Sequence, residues 1–164
     1  LLDPEGRHDA VINLQGDMPF AHPGLATACA ALLHGEPACD IATLVAPELS
    51  PEDRANPDVV KAVISLPEGE RHGRALYFTR STLYGDGPVW RHIGIYGYRR
   101  EALIRFCEAP PSPLERRERL EQLRALELGL QIWARPVDAA PLSVDNPADL
   151  EAARAVGEGL WTRD

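Results

Sequence analysis

Residues 10–46 change hydrophobic period twice, and that change restricts the fold more than any other feature of the chain. Residues 10–15 (AVINLQ) open as a short apolar run that ends at Gly16. From Pro23 to Leu33, apolar side chains recur at helical spacing, with Leu25, Ala28, Cys29 and Leu32 on one side. A second apolar run, CDIATLVA over Cys39–Ala46, follows. Strand, helix and strand, joined by a crossover of about a dozen residues, predict a parallel pair and an α/β fold. Pro23 suits a first helical turn, where its missing N–H would have had no partner.

The middle of the chain reads differently. VVKAVIS (Val59–Ser65) and ALYFT (Ala75–Thr79) flank the Pro/Gly/charge-rich LPEGERHGR, which predicts a hairpin. STLYGDGPVW reads as a loop, and in RHIGIYGYR (residues 91–99) Ile93 and Ile95 alternate with His92, Gly94, Tyr96 and Tyr98, the period of a strand. Arg100–Cys107 predicts a short helix broken by Pro110, Pro111 and Pro113. Ser112, Pro113 and Glu115 form a capping-box signature for one helix over 114–128, with Leu114, Leu120, Leu123 and Leu126 on its buried face and Gly129 at its end. Gln131–Val137 predicts a strand, Leu142–Val144 a strand tip, and Pro147 the first turn of a last helix capped by Asp145 or Asn146. Without linker or repeat, residues 1–164 predict one α/β domain, within which 59–113 is an antiparallel insert.

Charge and composition exclude several functions. A net charge of −8 argues against nucleic acid or an anionic membrane as partner, because a basic face is the usual footprint of both. No apolar run approaches the ~20 residues of a membrane helix. Cys29, Cys39 and Cys107 have no CxxC spacing, so reduced, buried thiols and a cytoplasmic location are expected. The opening LLDPEG has no initiator Met and reads as the tail of a helix followed by a turn, so part of a longer protein is expected.

Candidate chemistry sits at strand ends. Asp17 follows the strand at 10–15, and Asp145 follows the strand tip at 142–144. Ligands of open α/β sheets bind beyond the carboxyl ends of strands, and two such carboxylates suit one Mg²⁺. The plainer readings are a turn-forming Asp17 and a helix-capping Asp145. His92, Tyr96 and Tyr98 share one face, either as a polyol-binding wall or as ordinary buried aromatics. Arg80, just after ALYFT, is placed either to grip a carboxylate in a bidentate fork or to face solvent. Glu121 and Gln122 lie among Arg116, Arg117, Arg119 and Arg124, mostly a solvated helix face. Zinc-ligand spacing, a G-x-S-x-G elbow, a P-loop and a G-x-G-x-x-G fingerprint are all absent from the sequence.

In order along the chain, VINLQGDMPF, NPDVVKAVI, ALYFTRSTL, RHIGIYGYRREAL, SPLERRERLEQLRALELG and SVDNPADLEAAR resemble the motifs of the 3-deoxy-manno-octulosonate (KDO) cytidylyltransferases. The resemblance implies a Rossmann-like mixed sheet of the nucleotide-diphospho-sugar transferase type. It also implies CTP and KDO as substrates, transfer of CMP to KDO with release of pyrophosphate, a role in lipopolysaccharide biosynthesis, and a homodimer built on the insert. By the same resemblance Asp17 and Asp145 hold Mg²⁺, Arg80 pairs with the KDO carboxylate, and Gln15, His92, Tyr96, Glu121 and Gln122 contact the sugar. Two departures stand out. Met18 replaces the acid of the family's QGDEP, and the family's N-terminal CTP-binding loop, PAR-x-x-S-x-R-x-PGK, is not among these residues. The 164 residues alone are therefore expected to be inactive. A cytidylyltransferase for a related acid sugar, and a truncated non-catalytic dimeric module, are the alternative expectations.

Overall fold

The computed structural model describes residues 3–47, 50–83 and 88–161. Six strands, β1 (Ala10–Leu14), β2 (Ile41–Pro47), β3 (Lys61–Ser65), β4 (Gly73–Thr79), β5 (Trp90–Arg99) and β6 (Ile132–Pro136), form one mixed sheet in the order β1-β5-β2-β6-β4-β3. The parallel pair expected between β1 and β2 is not formed directly. Both run antiparallel to β5, which lies between them, and the parallel neighbour of β2 is β6. The reason lies in β5, whose Ile93 and Ile95 face one core while Tyr96 and Tyr98 face the other. A strand buried on both faces belongs inside a sheet, not at its edge. β3 also pairs with β5, through Lys61 with Arg91 and Ala62 with Trp90, so five strands close on themselves and β1 is attached outside that ring. The α/β fold and mixed sheet stand as expected, and the closure of the sheet is an addition to them.

Helix α1 (Pro23–Gly35) covers one face, burying Cys29, Leu32 and Leu33 against Ala42, Leu44, Ile93 and Ile95. The other face packs Ile41, Phe78, Tyr96 and Tyr98 against α3 (Arg100–Glu108), α4 (Pro113–Glu118) and α5 (Gln122–Glu127). Between α1 and α3, the five-residue α2 (Pro51–Ala55), capped by Ser50 through the Asp53 N–H, was not foreseen. The β3–β4 hairpin stands as expected. Of the loop expected at 81–90, residues 84–87 lie outside the described residues, as do residues 1 and 2 of the opening stretch expected to be a helix tail and turn.

Two further expectations need correction. The single helix over 114–128 is two helices, parted at Arg119, whose backbone is left-handed with φ 57 and ψ 48. At about 100° per residue, an unbroken helix would set Leu120 roughly 240° and Leu126 roughly 120° round from Leu114, so no one stripe could bury all three. The break resolves this conflict, while Ser112 and Glu115 close the expected capping box and Gly129, at φ 76, ends α5. No strand forms at 142–144 either; the Val144 N–H instead donates to the Asp17 carbonyl at 2.8 Å. Helix α6 (Pro147–Trp161) takes its cap from Asn146, whose Oδ1 accepts from the N–H groups of Ala148 and Asp149.

Candidate active site

The site forms where the sheet divides. Along one edge of β5, β1 pairs with residues 95–99 and β3 with 90–91, and between these two stretches neither strand is in register. The chain leaves β1 through Gln15–Asp17 and enters β3 through Asp58–Val60, and beyond the Val60 carbonyl, which accepts the His92 N–H at 3.0 Å, both have parted from β5. A cavity of about 420 Å³ opens there. Gln15, Asp17, Arg80, His92, Tyr96, Glu121, Gln122 and Asp145, the eight residues singled out from the sequence, all line it. They come from five separate stretches of chain.

Each wall has a local cause. The Gln15 side chain lies over Gly94, where an added Cβ would come 2.3 Å from Oε1, so the glycine is there to make room for the amide. The Asp17 carbonyl accepts the Val144 N–H, and this bond brings the Asp145 loop to the same cavity. Asp17 Oδ1 is buried with no hydrogen-bond partner among the described residues. An orphaned, buried carboxylate oxygen is costly unless something binds it. Asp145 accepts from the Ser143 hydroxyl at 2.8 Å, and since Asn146 caps α6, the Asp145 carboxylate is not used as a helix cap. Two hard oxygen donors on one cavity, one of them orphaned, fit a small divalent cation that keeps water or ligand oxygens in its other positions. Among the described residues there is no group of three or more His, Cys, Asp or Glu placed to hold a metal.

Arg80 is held at three points. Its guanidinium donates to the Pro57 carbonyl at 3.0 Å, its backbone N–H to Glu118 Oε2 at 3.3 Å, and its carbonyl accepts from Lys61 Nζ at 2.8 Å. Lys61 is fully buried and spends its other donors on the carbonyls of Asn56 and Val59. Burial lowers its pKa, and the neighbouring Arg80 charge acts in the same direction. Glu118 also accepts from Tyr77 and Thr79, tying the end of α4 to the end of β4. Neither residue was singled out from the sequence. The available signal for Lys61 was an ammonium within an apolar strand; Glu118 had none, being one of many charges on a helix.

On the aromatic wall, His92 packs edge-on against Phe78, tilted against Tyr96, and hydrogen-bonds Thr43. Burial lowers its pKa to about 4 and raises that of Tyr96 well above the ordinary phenol range, so both rings are neutral near pH 7. Tyr98 backs Tyr96 without lining the cavity. Glu121 and Gln122 reach the cavity because the break at Arg119 turns the chain there, and Arg119 and Leu120 line it with them. Arg91, also missed, adds a third guanidinium to those of Arg80 and Arg119. Met18 edges the cavity but is 7% exposed and packs into the apolar cluster beneath α1, so in this chain the position of the motif acid is core. Cys29 and Cys39 are buried free thiols, pushed up to about 12 by burial. Cys107 is exposed, against expectation.

Residues 2–132 match the family model described as Cytidylyltransferase. A 3-deoxy-manno-octulosonate cytidylyltransferase of Rhodospirillum centenum is 56% identical over 156 residues, covering 94% of this chain and 60% of that protein. One of the same description from Parvibaculum lavamentivorans is 58% identical over 156 residues, covering 94% and 59%. The chain thus spans about three-fifths of the length of these curated relatives. The solved structure of a CMP:2-keto-3-deoxy-manno-octonic acid synthetase complexed with CTP superposes with a TM-score of 0.84 at 34% identity, over 96% of this chain and 65% of that one. A putative glucose-1-phosphate thymidylyltransferase from Bacillus anthracis, at 13% identity and a TM-score of 0.53 over 90% of this chain and 54% of that one, shares the fold. Among the described residues, no helix is long and apolar enough to cross a membrane.

Proposed function

The chain belongs to the cytidylyltransferase family, and from that premise we propose that this protein joins KDO to CMP from CTP, releasing pyrophosphate, in lipopolysaccharide biosynthesis. The observation that carries the proposal is the meeting of eight residues from five stretches at the place where β1 and β3 part from β5. The names of the relatives and of the CTP-bound structural neighbour support it.

In this reading the Arg80 guanidinium takes the carboxylate of the acid sugar, the pairing that a planar fork of donors favours. Gln15, His92, Tyr96, Glu121 and Gln122 bind its hydroxyls, and their mixture of donors and acceptors fixes which face of the sugar turns toward the nucleotide. The anomeric hydroxyl then attacks the α-phosphorus; the new O–P bond forms as the bond to pyrophosphate breaks. What the chain supplies is orientation of the attacking oxygen, which in such reactions is a large part of the rate. Asp17 and Asp145 would hold Mg²⁺, which when bound offsets the negative charge of the triphosphate. The orphaned Asp17 Oδ1 supports that assignment. A homodimer through the 59–113 segment belongs to the same proposal, supported by the exposed Leu76 of β4 and Ile104 of α3.

Full-length protein incubated with CTP, Mg²⁺ and KDO should release pyrophosphate. No release from folded protein would overturn the proposal, and faster turnover of an amino analogue of KDO or of sialic acid would reassign the sugar.

A further inference from the structure

Thr43 lies fully buried in the middle of β2, where the register with β5 breaks. Thr43 pairs with Tyr96 but Leu44 pairs with Ile93, so β5 carries two extra residues, Gly94 and Ile95. This bulge brings the carbonyls of Ile93 and Ile95 to 3.2 and 2.9 Å from the Thr43 hydroxyl, and Nε2 of His92 to 3.0 Å. A hydroxyl has one proton to donate, and carbonyl oxygens only accept. If that proton went to His92, the hydroxyl lone pairs would face two carbonyl oxygens inside a buried site, where no water relieves the repulsion. The proton therefore goes to the carbonyls, and Nε2 of His92 must be the donor to Thr43.

We infer that Thr43 is a positioning residue that holds His92 as the neutral Nε2–H tautomer, so that Nδ1 meets the ligand as a hydrogen-bond acceptor. Among the described residues, Nδ1 makes no hydrogen bond, and the half-buried ring lines the cavity. The second nitrogen of a histidine takes its role from the bond that the first one makes. Burial of the ring keeps it neutral through the physiological range.

The consequence is a division of labour between two corners of the cavity. Arg80 offers only donors and suits a carboxylate, whereas His92 offers only an acceptor and suits a hydroxyl. An acid sugar placed the wrong way round would set carboxylate oxygens against the Nδ1 lone pair, a contact that rejects the misplaced ligand. The identity of the ligand here rests on the acid-sugar reading; the tautomer does not.

Long-range ¹H–¹⁵N correlation spectra of the ¹⁵N-labelled full-length protein at neutral pH report which ring nitrogen carries the proton. The His92 proton is expected on Nε2, and a proton on Nδ1 overturns the inference. Thr43→Val removes the acceptor, so both tautomers should appear and KDO should bind about fivefold more weakly, the size of one neutral hydrogen bond. Thr43→Ser should restore both properties. Mixed tautomers with unchanged KDO binding would refute the role in ligand recognition. If Thr43→Val does not fold, the decision falls to the wild-type and Thr43→Ser spectra, which must both show Nε2–H. A wild-type protein that shows Nε2–H yet binds no KDO overturns the acid-sugar reading and leaves the tautomer standing.

Discussion

Two glycine-to-alanine substitutions, chemically identical, should fail in different ways. At Gly73 an added Cβ would sit 2.2 Å from the Ser65 carbonyl oxygen, 2.8 Å from its carbon and 2.9 Å from the Leu66 Cα. All three are backbone, so the β3–β4 hairpin itself must open, and overpacking of this kind costs about 1–3 kcal/mol. At Gly94 the Cβ would sit 2.3 Å from Gln15 Oε1 and 3.1 Å from its Cδ, the far end of an exposed, flexible side chain. The amide can swing away, and Ala loses less backbone entropy on folding than Gly by about 0.5–1 kcal/mol. Gly94→Ala should therefore leave stability within about 1 kcal/mol of wild type. What it removes is the Gln15 amide from its place on the cavity wall. One net hydrogen bond to the ligand, about 0.5–1.5 kcal/mol, corresponds to roughly two- to twelvefold weaker binding of the acid sugar. Urea denaturation of both variants, beside calorimetric titration of full-length protein with KDO, separates the two effects. Equal destabilisation of both variants, or unchanged KDO binding in Gly94→Ala, would refute the account of why Gly94 is a glycine.

Asp17→Asn should nearly abolish pyrophosphate release while preserving the fold, and should remove any Mg²⁺-dependent rise in melting temperature. Near-normal turnover would take Asp17 out of the cation site. Glu118→Ala leaves the donors of Tyr77, Thr79 and Arg80 without their acceptor and should cost about 1–3 kcal/mol for each donor that water cannot reach. It should also raise KM for the sugar more than KM for CTP, and an equal rise in both would refute the brace on Arg80. Burial lowers the folded-state pKa of His92 to about 4, against about 6.5 in the unfolded chain. The unfolded chain therefore takes up the proton first, and the contribution of the neutral ring is complete above about pH 6.5 and is lost as pH falls toward about 4, with a slope of at most about 1.4 kcal/mol per pH unit. Asp3, lowered to about 2 chiefly by backbone hydrogen bonds from His8 and Arg7, titrates below that window. Denaturation from pH 4 to 7 should therefore show a shallower slope in His92→Gln than in wild type, and equal slopes would refute the assignment.

What could be read from the sequence was local. The capping box at Ser112, Pro23 in the first turn of α1 and the Pro/Gly-rich hairpin loop each depend on a few neighbouring residues, and all three stand in the structure. Strand order depends on partners far away in sequence. The alternation in β5 told that two faces existed, but not that both were buried, which is what places β5 between β1 and β2. The site was legible only in part for the same reason. Asp17, Arg80 and Glu121 each had a plainer reading as turn, surface or helix-face residue, and residue type alone could not decide among them. Similarity along the whole chain grouped the eight, and the divergence of β1 and β3 shows why they meet. Lys61 and Glu118 escaped notice because both act through partners far from them in sequence, Lys61 on the Arg80 carbonyl and Glu118 on Tyr77, Thr79 and the Arg80 N–H, which no motif records.

The break at Arg119 joins the two levels. Every local signal over 114–128 favours one helix, from the capping box and the Leu, Glu and Arg content to the glycine at its end. The apolar positions alone disagree, because no single stripe of a straight helix holds Leu114, Leu120 and Leu126 together. A left-handed, non-glycine residue costs about 1–2 kcal/mol, and the chain accepts that cost at the one turn that faces the cavity. The compensation is visible on both sides of the break. Before it, Glu118 binds the end of β4; after it, Leu120 enters the core and Gln122 is 6% exposed on the cavity wall. A continuous helix would carry Glu121 and Gln122 round with the rest of the stripe and separate them from Arg80. Where helix propensity and apolar pattern conflict, the conflict itself marks a constraint from elsewhere in the fold. Here that constraint is the cavity, which makes the discord between Leu114 and Leu120 the most local trace of the site that the chain carries.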